Sequence, residues 1–348
     1  MQPTNLIRAG RLALFLTLIA LISWEIFLRH KNITISYDDN EALFADKMAM
    51  IYGPSEQETV FIGSSRIKYD LDIPTWEALT GQKAIQLANV GSSPRPVLEA
   101  LANDPQFKGN LIVDVTEPLF FSPGALYDGS TRKKIAYFKN RTPTQRFSFQ
   151  VNHVLESQLV FLDQDNFSVT AMLENAQLLP PREGVFPGLY FPRQFGQVSF
   201  DRQTYMTPEF VIDTNLQVQV RKVWARGIAR RGDPLPADKM NAIFNSVKRD
   251  VDKIKARGGR VVFVRTPSSG PFREAEAKGF PRNAFWDRLL TLTGCPGIHF
   301  TDYPATANFI CPEWSHLKPT DAVLFTQSLV KILREEKGWT FPVKPEKS

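Results

Sequence analysis

The longest apolar run in the chain is Leu12–Leu28, LALFLTLIALISWEIFL, interrupted only by Thr17, Ser23 and Glu25. Its length lies at the lower end of the roughly 17–25 residues that cross a bilayer as a helix. Arg8 and Arg11 precede it, Arg29 and Lys31 follow it, and no small-x-small cleavage site comes after it. An uncleaved signal anchor is therefore expected. Residues 1–31 then hold the cytoplasmic N-terminus and the span, bilayer contact runs through 12–28, and the C-terminal domain stands in the periplasm or outside a cytoplasmic (inner) membrane. Glu25 lies close enough to the end of the run to reach the interface. A polar juxtamembrane segment, 32–58, carries an amphipathic pattern over Glu41–Tyr52.

From residue 59 the pattern becomes a rhythm of short apolar strands and longer helices. Strands are predicted at Thr59–Gly63, Ala84–Asn89, Asn110–Val115 and Arg260–Val264, with a short one around Gly297–Phe300. Between and after them, helices are predicted at Ile73–Gly81, Arg95–Asp104, Ala237–Gly259, Asn283–Gly294 and Pro319–Glu336. Such alternation predicts an α/β fold with a parallel sheet covered on both faces. The rhythm stops between about 118 and 233, where the sequence is aromatic, Pro/Gly-rich and only partly helical. So long an interruption reads as a lid, a binding surface or a docking insertion. The α/β domain is expected over 59–340, and 341–348 as a solvated tail.

Composition narrows the classes. Hydrophobic residues make up 43% and charged residues 22%, enough for a real core, and the net charge of +6 is modest for 348 residues. No run of Lys and Arg interleaved with aromatics marks a nucleic-acid groove. The two cysteines, Cys295 and Cys311, either close a short disulfide loop or stay as buried thiols. Neither has the clustered His or Cys partners of a zinc site, so no metal or cofactor is expected. Phe120, Phe121, Tyr127, Phe186, Tyr190 and Phe191 suit core packing or a sugar-stacking groove.

The candidate chemistry begins at FIGSSR. Ser65 follows a strand-ending glycine at a strand-to-helix turn, beyond the carboxyl end of a strand where α/β proteins place their sites. A serine nucleophile needs a base, and the chain has four histidines: His30, His153, His299 and His316. His316 stands in EWSHLKPTDA directly before the last helix, close behind Glu313, a carboxylate able to orient it. NVGSS places Asn89 and Gly91 after the second strand, and Arg66 and Arg265 follow the first and fourth.

These blocks, in this order, resemble the SGNH (GDSL-like) hydrolase superfamily. The resemblance implies a three-layer, flavodoxin-like sheet with Ser65 as nucleophile, His316 as base and Glu313 in place of the family's aspartate. It also implies an oxyanion hole that includes Gly91, with Asn89, Arg66 and Arg265 as further oxyanion or substrate contacts. Ser64 replaces the aspartate of the first block, and LIVDVTEP lacks the third-block asparagine. With the anchor, the pattern is similar to membrane-anchored polysaccharide O-acetylation and teichoic-acid D-alanylation proteins. It implies an extracytoplasmic serine acyl esterase or O-acyltransferase acting on a glycan beside a membrane-bound O-acyltransferase. The alternative is a catalytically degenerate scaffold on the same fold, partnering that acyltransferase.

Overall fold

The computed structural model describes residues 3–53, 58–123, 125–175, 191–229 and 235–342. The expected tail therefore lies mostly outside the described residues, as do Phe186 and Tyr190. The chain divides into two compact units, Met1–Asp38 with Thr142–Phe186, and Asp39–Arg141 with Pro187–Ser348. The juxtamembrane segment and the insertion are thus each shared between units. The reason is local: residues 158–161 bond to the N-terminal helix, whereas the flanks of the insertion join the α/β unit.

In the larger unit, five parallel strands run β1 Glu58–Ile62, β2 Lys83–Gln86, β3 Asn110–Asp114, β4 Arg260–Arg265 and β5 Gly297–His299. Their order is β2-β1-β3-β4-β5. In register, Val60 faces Ile85 and Leu111, Val113 faces Phe263, and Val264 faces Ile298. All of β3 is buried, as a central strand covered on both faces must be. One face packs Ile62, Leu111 and Val113 against Leu98 and Leu101 of helix Arg95–Ala102 and Val247 and Val251 of helix Ala237–Ala256. The other packs Phe61, Ile112 and Val262 against Trp76 of helix Ile73–Thr80 and Phe325 and Leu329 of helix Pro319–Glu335. Helix Ile73–Thr80 starts where Asp72 accepts from the Thr75 N–H at 2.9 Å and stops at Gly81, φ 69°. The chain order reverses between β1 and β3, and sites in such sheets lie beyond the carboxyl ends at that reversal.

The same unit takes in both flanks of the insertion. Helix Ala125–Asn140 precedes its middle part, and an antiparallel pair, Gln197–Val198 with Thr204–Tyr205, follows it. Helix Thr214–Ala229 comes next. These later pieces bury Phe195, Met206, Phe210 and Val220 around Tyr69.

In the smaller unit, helix Pro3–His30 contains a span, Leu6–His30, of mean hydropathy 2.0, long and apolar enough to cross a membrane. Glu25 accepts from Arg29 Nε at 2.6 Å and from the backbone N–H groups of Val160 and Phe161 at 3.1 and 3.2 Å. Arg29 Nη2 donates to the Gln158 carbonyl at 2.8 Å. Helix Pro143–Glu156 begins with a Thr142–Gln145 capping box, and helix Val169–Asn175 follows.

Candidate active site

The turn after β1 is built to present one serine. Ser64 caps helix Ser65–Asp70, its hydroxyl accepting from the Arg66 N–H at 3.3 Å. Asp114, at the end of β3, holds that cap: its Oδ2 accepts from the Ser64 N–H at 3.3 Å and the Ser64 hydroxyl at 3.2 Å. Thr116 and Thr266 hydroxyls donate to the same carboxylate at 3.0 and 3.2 Å. Burial pushes the Asp114 carboxyl above its usual pKa range. This close approach needs Gly63, where a Cβ would lie 2.6 Å from Asp114 Cβ and 2.7 Å from Ile67 Cγ2. Ser65 itself is partly exposed.

His316 meets it from the loop before the last helix. Nε2 of His316 lies 2.9 Å from Ser65 Oγ, and Nδ1 lies 3.0 Å from Glu313 Oε1. An ionised carboxylate only accepts, so Nδ1 carries the proton and Nε2 is left to accept from the serine hydroxyl. Glu313 Oε1 also accepts from the backbone N–H groups of Ser315 and His316, and Oε2 from Trp224 Nε1 at 2.5 Å. The imidazole is 1% exposed and sits 4.4 Å from the Tyr69 ring, 5.6 Å from Phe195 and 6.1 Å from Trp224, centroid to centroid. Burial and the nearby Glu313 carboxylate push the Tyr69 phenol well above its ordinary pKa, so it stands beside His316 as a neutral ring. The loop is held at several points. Arg221 Nε donates to the Pro312 carbonyl at 2.8 Å, the Leu317 N–H donates to Asp70 Oδ1 at 2.9 Å, and the Ser269 N–H donates to the Trp314 carbonyl at 2.9 Å. Trp314 adopts φ 80°, a left-handed conformation unusual for a bulky residue. Such strain persists only where the surroundings impose it.

Asn89 and Gly91 lie at the carboxyl edge of β2, next to the serine turn: the Asn89 N–H donates to the Gly63 carbonyl at 3.2 Å. Arg202, at φ 65° in the turn of the antiparallel pair, fixes this exit. Its guanidinium donates to the carbonyls of Gln86 and Ala88 at 2.7 and 3.0 Å and to Asn89 Oδ1 at 2.9 Å. Gly91 is exposed, with φ 61°. Neither the Ser65 nor the Gly91 N–H has a hydrogen-bond acceptor among the described residues.

Arg66 and Arg265 both enter buried ion pairs. Arg265 Nε pairs with Glu117 at 2.7 Å and its Nη2 with Glu276 at 2.5 Å. Arg66 also pairs with Glu276 and donates to Ser315 Oγ at 3.2 Å. At 1% and 3% exposure, both guanidinium groups are held by buried carboxylates, although Arg66 Nη1 is buried without a hydrogen-bond partner among the described residues. Cys295 and Cys311 are buried free thiols. Phe120 and Phe121 belong to the core, and Phe191 packs on Trp224 at 5.3 Å. His299 bonds to Thr301 at 2.7 Å. Its pKa is pushed down to about 3 by burial and by Arg265 and Arg282, which leaves it neutral. Among the described residues, no group of His, Cys, Asp and Glu is arranged to hold a metal ion.

Sequence reading missed Asp114, Trp224, Arg221 and Arg202, which carry no motif and reach the site from segments far along the chain. Only LIVDVTEP gave a signal, by ending a strand in an acidic residue. A scan against protein-family models finds no match, and a search of curated proteins finds none either.

Proposed function

We propose that the chain is a membrane-anchored serine acyl esterase or O-acyltransferase of SGNH type, acting outside the cytoplasm on acyl groups of an envelope or secreted polysaccharide. The relay of Ser65, His316 and Glu313, with contacts of 2.9 and 3.0 Å, carries this reading. The β2-β1-β3-β4-β5 order, with the serine after β1 and the histidine before the last helix, supports it.

In the proposed reaction, Ser65 Oγ attacks the acyl carbonyl while His316 Nε2 takes its proton, and Glu313 stabilises the imidazolium that forms. The backbone N–H groups of Ser65 and Gly91 receive the developing oxyanion. His316 returns the proton to the departing alcohol, leaving an acyl-serine. Water or a sugar hydroxyl, deprotonated by the same imidazole, then attacks the acyl-serine and releases Ser65.

The test is acyl-ester turnover by the full-length chain in detergent. Ser65→Ala and His316→Ala are expected to lose on the order of 10⁴–10⁶ in kcat, with thermal unfolding near the parent's for Ser65→Ala and lowered for His316→Ala, which empties a buried site beside Glu313. Turnover surviving both substitutions overturns the mechanism. A folded chain with no turnover that retains a membrane-bound O-acyltransferase on purification supports the scaffold reading instead.

A further inference from the structure

Helix Pro143–Glu156 buries none of its residues, yet it is not polar all round. Phe147, Val151, Val154 and Leu155 recur at helical spacing and form one face; Phe147 is 69% and Val154 57% exposed. The opposite side is the one that packs: the His153 ring lies 6.3 Å from Phe149 and 6.3 Å from Tyr37. Helix Val169–Asn175, in the same compact unit, exposes Val169 (74%), Met172 and Leu173 (58%) at matching spacing. Exposed apolar faces of this kind mark an interaction surface.

What covers these faces follows from where they are tied. Residues 158–161, directly after the first of the two helices, bond to Glu25 and Arg29. Glu25 lies inside the apolar run, about 4.5 Å along the helix axis from its last residue, Leu28. Arg29 and His30 mark the polar boundary just beyond. The attachment therefore falls within the outer ~5–10 Å of the bilayer, where amphipathic helices lie in the membrane plane. The exposed side of the N-terminal helix, with Phe15, Ile22 and Ile26 all open, brings a lipid-facing surface to the same unit.

We propose that the apolar faces of helices Pro143–Glu156 and Val169–Asn175 lie in the interfacial layer of the bilayer entered by the N-terminal helix. The occupant is lipid, and the insertion is a second, in-plane membrane attachment. The proposal rests on the N-terminal helix spanning a bilayer but not on the chemistry assigned to Ser65.

The experiment uses the full chain in vesicles of phosphatidylethanolamine and phosphatidylglycerol. Single cysteines are introduced as Phe147→Cys, Leu155→Cys and Leu173→Cys, with Asn152→Cys as the polar-side control and Leu18→Cys as the span control. Cys295 and Cys311 are buried, so an environment-sensitive thiol dye labels the introduced site in the folded chain. Blue-shifted emission and lipid-borne nitroxide quenching several-fold above that at 152 are expected at 147, 155 and 173. Quenching at 18 with aqueous-type emission at those three sites overturns the proposal. No lipid quenching at 18 overturns the span on which it rests. Blue-shifted emission that persists in detergent without lipid quenching assigns the faces to protein contact and likewise overturns it.

Discussion

At the scale of single residues, the serine turn depends on an approach that no larger residue than glycine permits. Gly63→Ala would put a methyl 2.6 Å from Asp114 Cβ and 2.7 Å from Ile67 Cγ2. Both are fixed parts of the turn, so a loss of about 1–3 kcal/mol is expected from overpacking, read as a lower denaturant midpoint and an equal or larger fall in turnover. Glu313→Gln probes a different property, the tautomer of His316. The amide either turns its NH₂ to Nδ1, which moves the imidazole proton to Nε2 and leaves the Ser315 and His316 N–H groups facing a donor, or turns it to the Trp224 N–H and leaves the imidazolium of the proposed reaction without a counter-charge. Turnover is expected to fall by on the order of 10⁴. Activity within a few fold of the parent would show that Glu313 does not orient the base. Ser65, His316 and Glu313 were legible in the sequence because each sits in a short local pattern at the end of an element. The pairing of Arg66 and Arg265 was not, since their partner Glu276 is remote from Arg66 and lies on a helix, Gly270–Gly279, that the apolar pattern did not reveal.

At the scale of elements, helix Thr214–Ala229 is the piece of the insertion that shapes the candidate site. Trp224 and Arg221, one turn apart on it, hold Glu313 Oε2 and the Pro312 carbonyl. Trp224→Phe keeps the ring beside Phe191 and His316 but removes the indole N–H, leaving a buried carboxylate oxygen without its donor. Such a loss costs about 1–3 kcal/mol. The expected readout is a drop in kcat with little change in KM, and unchanged kcat would make Trp224 a packing residue only. The five strands were legible because each is a short apolar run bounded by turn residues, and their helices because their apolar positions recur at helical spacing. Helix Asn283–Gly294 differs in detail: it opens as a π-helical turn over Asn283–Asp287 before Arg288–Thr293. An apolar repeat does not distinguish that winding from an ordinary helix.

At the scale of the whole molecule, charge burial links segments that the sequence keeps far apart. Asp39 meets Lys68 at 2.5 Å, Arg202 at 2.6 Å and Lys134 at 3.4 Å. Burial opposes its ionisation, but the three cations hold its carboxyl well below the usual range. One anion does not offset three cations, and burial pushes Lys68 down to about 7. An unfolded lysine titrates near 10.4, so above pH 7 the unfolded chain binds a proton that the folded chain excludes. Stability from this group therefore rises with pH from about 7 toward 10 and is lost as pH falls through 7. Lys68→Met is expected to flatten that rise in thermal unfolding measured at pH 7 and pH 9.5, and an unaltered slope would contradict it. By itself, the sequence determined the apolar N-terminal helix, the α/β rhythm and the local blocks around Ser65 and His316. Each follows from contacts between residues near in the chain, or from a periodicity one segment carries alone. Tertiary structure alone decided that Asp114 ties the serine turn and that Arg202 fixes the β2 exit. It also decided that Trp224 completes the Glu313 carboxylate, and that the middle of the insertion joins the N-terminal helix. Those pairings depend on which buried polar group finds a partner once distant segments pack, and no local pattern encodes that choice.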